Sequence, residues 1–170
     1  MVAGIKNMQR RELFGSLTSG FRGDSRSKSE TILRPPYNSD ESLFHNECSQ
    51  CEGLCATVCE VEIIKIAEDK TPFLSFEKSG CTFCDECVSA CEFGVLSLEA
   101  KSKVKANINI SVSSCLAWND VMCFSCKEPC MDNAIVFAGL FKPVIDMSKC
   151  TACGFCISRC PAEAIEIEGL

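Results

Sequence analysis

Sixteen of the 170 residues are cysteine, and they are not scattered. They fall into four groups of four, with none left over. Cys150, Cys153, Cys156 and Cys160 are spaced x2, x2, x3, and Pro161 follows directly. Cys81, Cys84, Cys87 and Cys91 repeat that spacing. Cys48, Cys51, Cys55 and Cys59 read x2, x3, x3, and Cys115, Cys123, Cys126 and Cys130 read x7, x2, x3. Three thiols two residues apart sit on one tight loop. The fourth lies nearly one helical turn further on and points elsewhere. A chain pinned in this way at four places has little length left to bury a large apolar core.

The run C-x2-C-x2-C-x3-C-P holds an iron–sulfur cluster in bacterial ferredoxins, and in two-cluster ferredoxins its fourth Cys ligates the other cluster. Four quartets therefore predict four cubane [4Fe–4S] clusters. Disulfides fit poorly, because secreted disulfide frameworks are usually short and carry an export signal. Structural zinc usually pairs two C-x2-C knuckles across a longer gap, whereas most of these quartets are compact. The C-x4-C-x2-C spacing of plant-type [2Fe–2S] proteins is absent. Ligation free energy should then be part of the folding free energy, so the apo chain is expected to be largely unfolded or molten.

Charge is distributed unevenly. Residues 1–34 hold seven Lys/Arg against three acidic residues, and the remainder holds ten basic and twenty acidic residues. An acidic body argues against nucleic acid as a partner. Residues 1–40 are expected to form a basic, largely flexible arm, with Met8, Leu13, Phe14 and Leu17 on a short amphipathic helix. Arg10-Arg11 resembles the start of a twin-arginine export signal, but no apolar core follows it. No window has the length and apolarity of a membrane span. The expected location is the cytoplasm, where thiols stay reduced.

The coarse pattern predicts an α+β fold of two tandem two-cluster ferredoxin-like units, with short helices and hairpins around the clusters. The first unit covers residues 41–100 and the second 101–170. Arg34-Pro35-Pro36-Tyr37-Asn38 reads as an extended linker. Strands are expected at 41–47, 61–66, 72–76, 94–98, 107–112, 134–137, 143–146 and 164–168. Gly53 is expected to absorb the extra residue of the first quartet. Residues 100–106 read as a basic, solvated hinge. His45, the single histidine, is expected at the surface. Trp118 is expected to be a packing lid over its cluster.

Sequential neighbours usually pair in space. Quartet one is thus paired with two, and three with four, each exchanging its last cysteine. Cluster 1 is then held by Cys48, Cys51, Cys55 and Cys91, and cluster 2 by Cys81, Cys84, Cys87 and Cys59. Cluster 3 is held by Cys115, Cys123, Cys126 and Cys160, and cluster 4 by Cys150, Cys153, Cys156 and Cys130. A nested pairing, one with four and two with three, is the alternative. No nucleophile–base pair, phosphate-binding loop or flavin fingerprint is present, so no catalytic residues are assigned. Closed four-thiolate shells suit one-electron transfer.

Arg10-Arg11, the Arg34-Pro35-Pro36 run followed by acidic residues and Phe44, the run Cys115-Leu116-Ala117-Trp118-Asn119, Ala134-Ile135-Val136-Phe137 and the closing Cys160-Pro161 together resemble one family. This is the ferredoxin-type NapF family associated with periplasmic nitrate reductase. The sequence departs from it in the extra residue before Cys55 and in lacking Pro after Cys59, Cys91 and Cys130. The resemblance implies a cytoplasmic accessory protein. It would interact with the catalytic subunit of that reductase before export, through the arm that carries Arg10 and Arg11, and assist its maturation. The alternative is a plain electron carrier serving that enzyme or another redox partner. Removing residues 1–34 is expected to spare the clusters and weaken partner binding.

Overall fold

Each cysteine loop must reverse the chain within a few residues, and the backbone does so by entering the left-handed region at set places. The computed structural model describes residues 32–170. The expected helix at 8–17, and Arg10 and Arg11, lie outside them. Gly53 (φ 75°), Asp85 (φ 67°) and Gly154 (φ 86°) each take the left-handed conformation and launch a one-turn helix: α2 (Leu54–Thr57), α3 (Glu86–Ser89) and α4 (Phe155–Ser158). Each helix opens one residue before the third cysteine of its quartet. The extra residue of the first quartet is therefore Glu52, before Gly53; Gly53 does not absorb it as expected but takes the place of Asp85 and Gly154.

A second left-handed residue follows each quartet, three positions after its last cysteine: Glu62, Gly94, Asn133 and Glu163. For residues other than glycine this conformation costs roughly 1–2 kcal/mol each. Its recurrence at equivalent positions marks an internal repeat more precisely than the residue types do.

Between the loops run short strands: β1 (Ile64–Ile66), β2 (Pro72–Leu74), β3 (Ala106–Ile110), β4 (Ile135–Ala138), β5 (Lys142–Ile145) and β6 (Ile165–Gly169). Among the described residues they make three antiparallel pairs, β1 with β2, β4 with β5 and β3 with β6. The first two are the expected hairpins, with Ile64 opposite Leu74 and Val136 opposite Val144. The third joins strands far apart in sequence, with Ile108 opposite Ile167.

Two expected strands are absent. Residues 42–47 form a helix, α1 (Ser42–Glu47), followed by a 3-10 turn at Cys48–Gln50. Residues 94–97 are bends and irregular chain, and a 3-10 turn follows at Leu98–Ala100. The reason is the same in both places. Leu43 and Phe44 are adjacent and pack into one cluster, as do Val95 and Leu96. A strand would send neighbours to opposite faces, while a helical turn or a bend keeps them on one side. Asp40 starts α1 by accepting hydrogen bonds from the Ser42 amide and hydroxyl.

The expected linker is also part of the packed body. Pro35, Pro36, Tyr37 and Asn38 are buried. Leu33 C=O accepts from the Leu74 amide at 2.8 Å, and Tyr37 C=O accepts from the Ser97 amide at 2.9 Å. Asn38 Nδ2 donates to Val95 C=O. The expected hinge is solvated only in part: Lys101, Ser102, Lys103 and Lys105 face solvent, while Val104 is fully buried and its amide donates to Thr151 C=O at 3.1 Å. One hydrophobic core draws on both sides of residue 100. Ile63, Ile64, Leu74 and Phe76 meet Val104, Ala106, Ile108, Ile135 and Ile165 there.

Candidate iron–sulfur centres

Three concave spaces are each lined by four cysteines. The first, about 370 Å³, has Cys59, Cys81, Cys84 and Cys87 in its wall. The second, about 350 Å³, has Cys115, Cys123, Cys126 and Cys160. The third, about 320 Å³, has Cys130, Cys150, Cys153 and Cys156. Each takes its fourth thiol from a different quartet than the other three. Around the remaining set, Cys48, Cys51 and Cys91 stand close enough to Cys55 for their charges to act on its thiol.

All sixteen cysteines are free thiols. Among the described residues, no three His, Cys, Asp or Glu side chains converge tightly enough to hold a single metal ion. Four thiols spread around a cavity are instead the arrangement a cubane requires, with one sulfur at each iron corner. The residues present therefore fit [4Fe–4S] ligation. A bound cluster supplies one-electron redox chemistry.

Electrostatics agree with this use. Burial pushes the Cys87 and Cys156 thiols up to about 12, and the neighbouring thiols push in the same direction. Burial likewise pushes Cys55, Cys81 and Cys126 up to about 11. Thiols gathered out of water resist ionising together. Iron must supply the positive charge that permits it, and its binding releases their protons.

Backbone amides point at several of the sulfurs. Gly53 N–H donates to Cys51 Sγ, Leu96 N–H to Cys91 Sγ and Ala152 N–H to Cys150 Sγ, all at 3.4 Å; Ala164 N–H donates to Cys160 Sγ at 3.2 Å. Such bonds stabilise negative charge on cluster thiolates and are one of the protein's means of setting potential.

Sequence reading missed three residues around these cysteine sets. Arg34 Nη1 donates to Thr71 Oγ1 at 2.7 Å and to Pro72 C=O at 2.8 Å, and its guanidinium lies 4.9 Å from the centre of the Phe44 ring. Burial and the neighbouring thiols raise the Cys48 thiol, and the Arg34 charge opposes that rise. The Arg34-Pro35-Pro36 run with Phe44 was the available signal. Tyr37 OH donates to Asp85 Oδ1 at 2.5 Å, and Lys101 Nζ donates to both Asp85 oxygens at 3.0 and 3.1 Å. This knot pins the loop between Cys84 and Cys87, and burial with Asp85 alongside drives the Tyr37 hydroxyl far above its ordinary pKa. Tyr37 and Asp85 carry no motif that would reveal it.

Trp118 has a different part from the one expected. Its half-buried ring donates Nε1–H to Pro143 C=O at 3.0 Å. The wall of the Cys115 cavity includes Leu116, Ala117 and Pro143 but not Trp118, so Trp118 fastens the wall instead of forming it. His45 is exposed, with Nδ1 3.7 Å from Asp69 Oδ2.

Known proteins point to the same chemistry. A family model described as a 4Fe-4S binding domain matches residues 143–166. The chain is 31% identical over 160 residues to the ferredoxin-type protein NapF of Escherichia coli, covering 92% of this chain and 93% of that one. It is 31% identical to the ferredoxin-type protein NapF of Haemophilus influenzae over 172 residues, covering 98% and 97%. The methylamine utilization ferredoxin-type protein MauM of Methylobacillus flagellatus is 30% identical over 151 residues, covering 76% and 64%. Among the described residues, no helix is long and apolar enough to cross a membrane.

Proposed function

This chain belongs to the NapF family of ferredoxin-type proteins, and from that footing we propose that it carries four [4Fe–4S] clusters and assists cytoplasmic maturation of the periplasmic nitrate reductase catalytic subunit before export. The observation that carries the reading is the set of three cavities, each lined by four thiols with one exchanged between quartets. Cys48, Cys51, Cys55 and Cys91 hold the first cluster, and Cys81, Cys84, Cys87 and Cys59 the second. Cys115, Cys123, Cys126 and Cys160 hold the third, and Cys150, Cys153, Cys156 and Cys130 the fourth. The units 41–100 and 101–170 each hold two.

Every set is a complete four-thiolate shell, which leaves no iron corner for a substrate and suits delivery of single electrons. Maturation on this reading is electron supply to the immature subunit, which docks on the basic arm that includes Arg10 and Arg11. The test is nitrate reductase activity in a deletion strain, assayed with an artificial low-potential donor that bypasses physiological electron delivery. Loss of that activity is the expected result. Normal activity with impaired quinol-linked reduction would make the protein a plain carrier in the route to the enzyme.

A further inference from the structure

The two halves of the cysteine framework touch through backbone, and they do so at two ligand residues. Cys81 N–H donates to Cys153 C=O at 2.6 Å. One cysteine opens the second quartet, and the other is the second cysteine of the fourth. Glycine stands on each side of the contact. A Cβ on Gly80 would lie 2.5 Å from the Phe155 amide nitrogen and 2.7 Å from Cys153 C=O, and a Cβ on Gly154 would enter the Phe76 ring. Both glycines are buried. At Gly80 the obstacle is backbone, which cannot give way as a flexible side chain can, so the Cys81–Cys153 approach depends on the missing side chain there; at Gly154 it is the Phe76 ring, packed against a residue held at φ 86°.

Neighbouring contacts extend the line in both directions. Within the first half, α2 and α3, which carry Cys55 and Cys87, pack against each other. Within the second, Cys126 and Cys156 are buried in the same core. Cys55 belongs to the first set and Cys87 to the second, while Cys126 belongs to the third and Cys156 to the fourth.

We infer that electrons cross between the halves at the Cys81–Cys153 peptide contact, so that the four cysteine sets form one relay in the order one, two, four, three. The inference rests on the four-cluster reading above. The crossing runs from Cys81 Sγ along its own backbone to the amide, over one hydrogen bond, and through the Cys153 carbonyl to Cys153 Sγ. It moves one electron. The iron held by Cys81 is oxidised by one electron, the iron held by Cys153 is reduced by one, and no proton or covalent bond changes place. Gly80 and Gly154 are positioning residues: they touch neither iron nor partner, and they set how closely the two backbones approach. On this order the second and fourth sets are internal, and the first and third are the ends of the relay.

The experiment uses the full-length holoprotein reduced with dithionite and read by electron paramagnetic resonance, with iron and sulfide analysis of every sample. The double variant Cys48→Ala/Cys115→Ala removes one ligand from each end set and leaves the internal pair. Its two remaining spins should interact, giving a broadened signal that saturates only at microwave powers at least tenfold higher than an isolated cluster. Adding Gly80→Ala, which forces the two backbones apart, should weaken that interaction, narrowing the signal and lowering the saturating power at the same iron content. Two sharp, independent signals in the double variant would overturn the relay.

If the double variant does not retain its internal iron, wild type against Gly80→Ala alone decides. Partial loss of broadening at full iron content supports the crossing, and an identical spectrum overturns it. A wild-type iron content short of four clusters sinks the four-cluster reading itself, and the relay with it, and is recognised by analysis before any spectrum is compared.

Discussion

Arg34 places one positive charge beside the first cysteine set, held there by Thr71, Pro72 and the Phe44 ring. Reduction adds negative charge to a cluster, so a nearby cation favours the reduced state and raises the potential. Arg34→Gln should therefore lower the midpoint potential of one cluster by on the order of tens of millivolts, as expected for a unit charge seen through an effective dielectric of about 20. Potentiometric titration followed by electron paramagnetic resonance measures it. Arg34→Lys should restore most of the shift, because it restores charge, although it cannot restore the planar stack. If neither variant moves any potential, Arg34 is purely a tether for β2. At this scale the sequence was readable where chemistry imposes spacing and opaque where it does not. The sixteen cysteines announce themselves by interval. Tyr37 and Asp85 are brought together by a chain reversal of 48 residues, and nothing local marks either.

Among the elements, loop geometry outranks spacing by count. The first quartet differs from the second and fourth by one residue, yet its helix still opens immediately before the third cysteine, because Gly53 does there what Asp85 and Gly154 do elsewhere. Deleting Glu52 should therefore restore the common spacing and leave the iron content unchanged. Gly53→Val should cost the iron of one cluster. It forces a β-branched residue to φ 75° and brings its Cβ to 2.9 Å from Ile66 Cγ1. Iron analysis of the two proteins distinguishes them; full iron in Gly53→Val would show that the loop tolerates another path. The hairpins β1–β2 and β4–β5 were legible because β-branched runs flank polar turns. The strands expected at 41–47 and 94–98 failed because the decisive pattern was not alternation. Leu43-Phe44 and Val95-Leu96 are adjacent pairs packed on one side, which a period of two forbids. The pairing of β3 with β6 closes over about 60 residues, and no local rule predicts it.

At the scale of the whole molecule, the described residues are held by a core that both cysteine-bearing halves share, and this relocates the boundary of the arm. Charge alone places the edge of the basic segment at Arg34. Structure places the edge of the packed body earlier, because Leu33 C=O is bonded to β2 and Arg34 stacks on Phe44. Two truncations should then behave differently, although they differ by only a few residues. Removing residues 1–31 should leave iron content and cluster spectra as in the full chain and, on the function proposed above, should weaken binding to the nitrate reductase catalytic subunit by removing most of the basic segment. Removing residues 1–38 takes away Arg34 beside the first set, Tyr37 beside the second, and Pro36 C=O, which accepts from the Ser102 amide and hydroxyl. Buried Tyr37 alone fills space and holds a charged partner, so its loss leaves both a cavity and an Asp85 carboxylate with Lys101 as its remaining side-chain partner among the bonds described. The longer truncation should purify with less iron from the first half and lose the rest faster to a chelator, while Cys115 and Cys150 keep theirs longer. Metal analysis against time in chelator separates the two proteins. Equal retention would mean that residues 32–38 lie on the body without supporting it, and that the core closes over the clusters unaided.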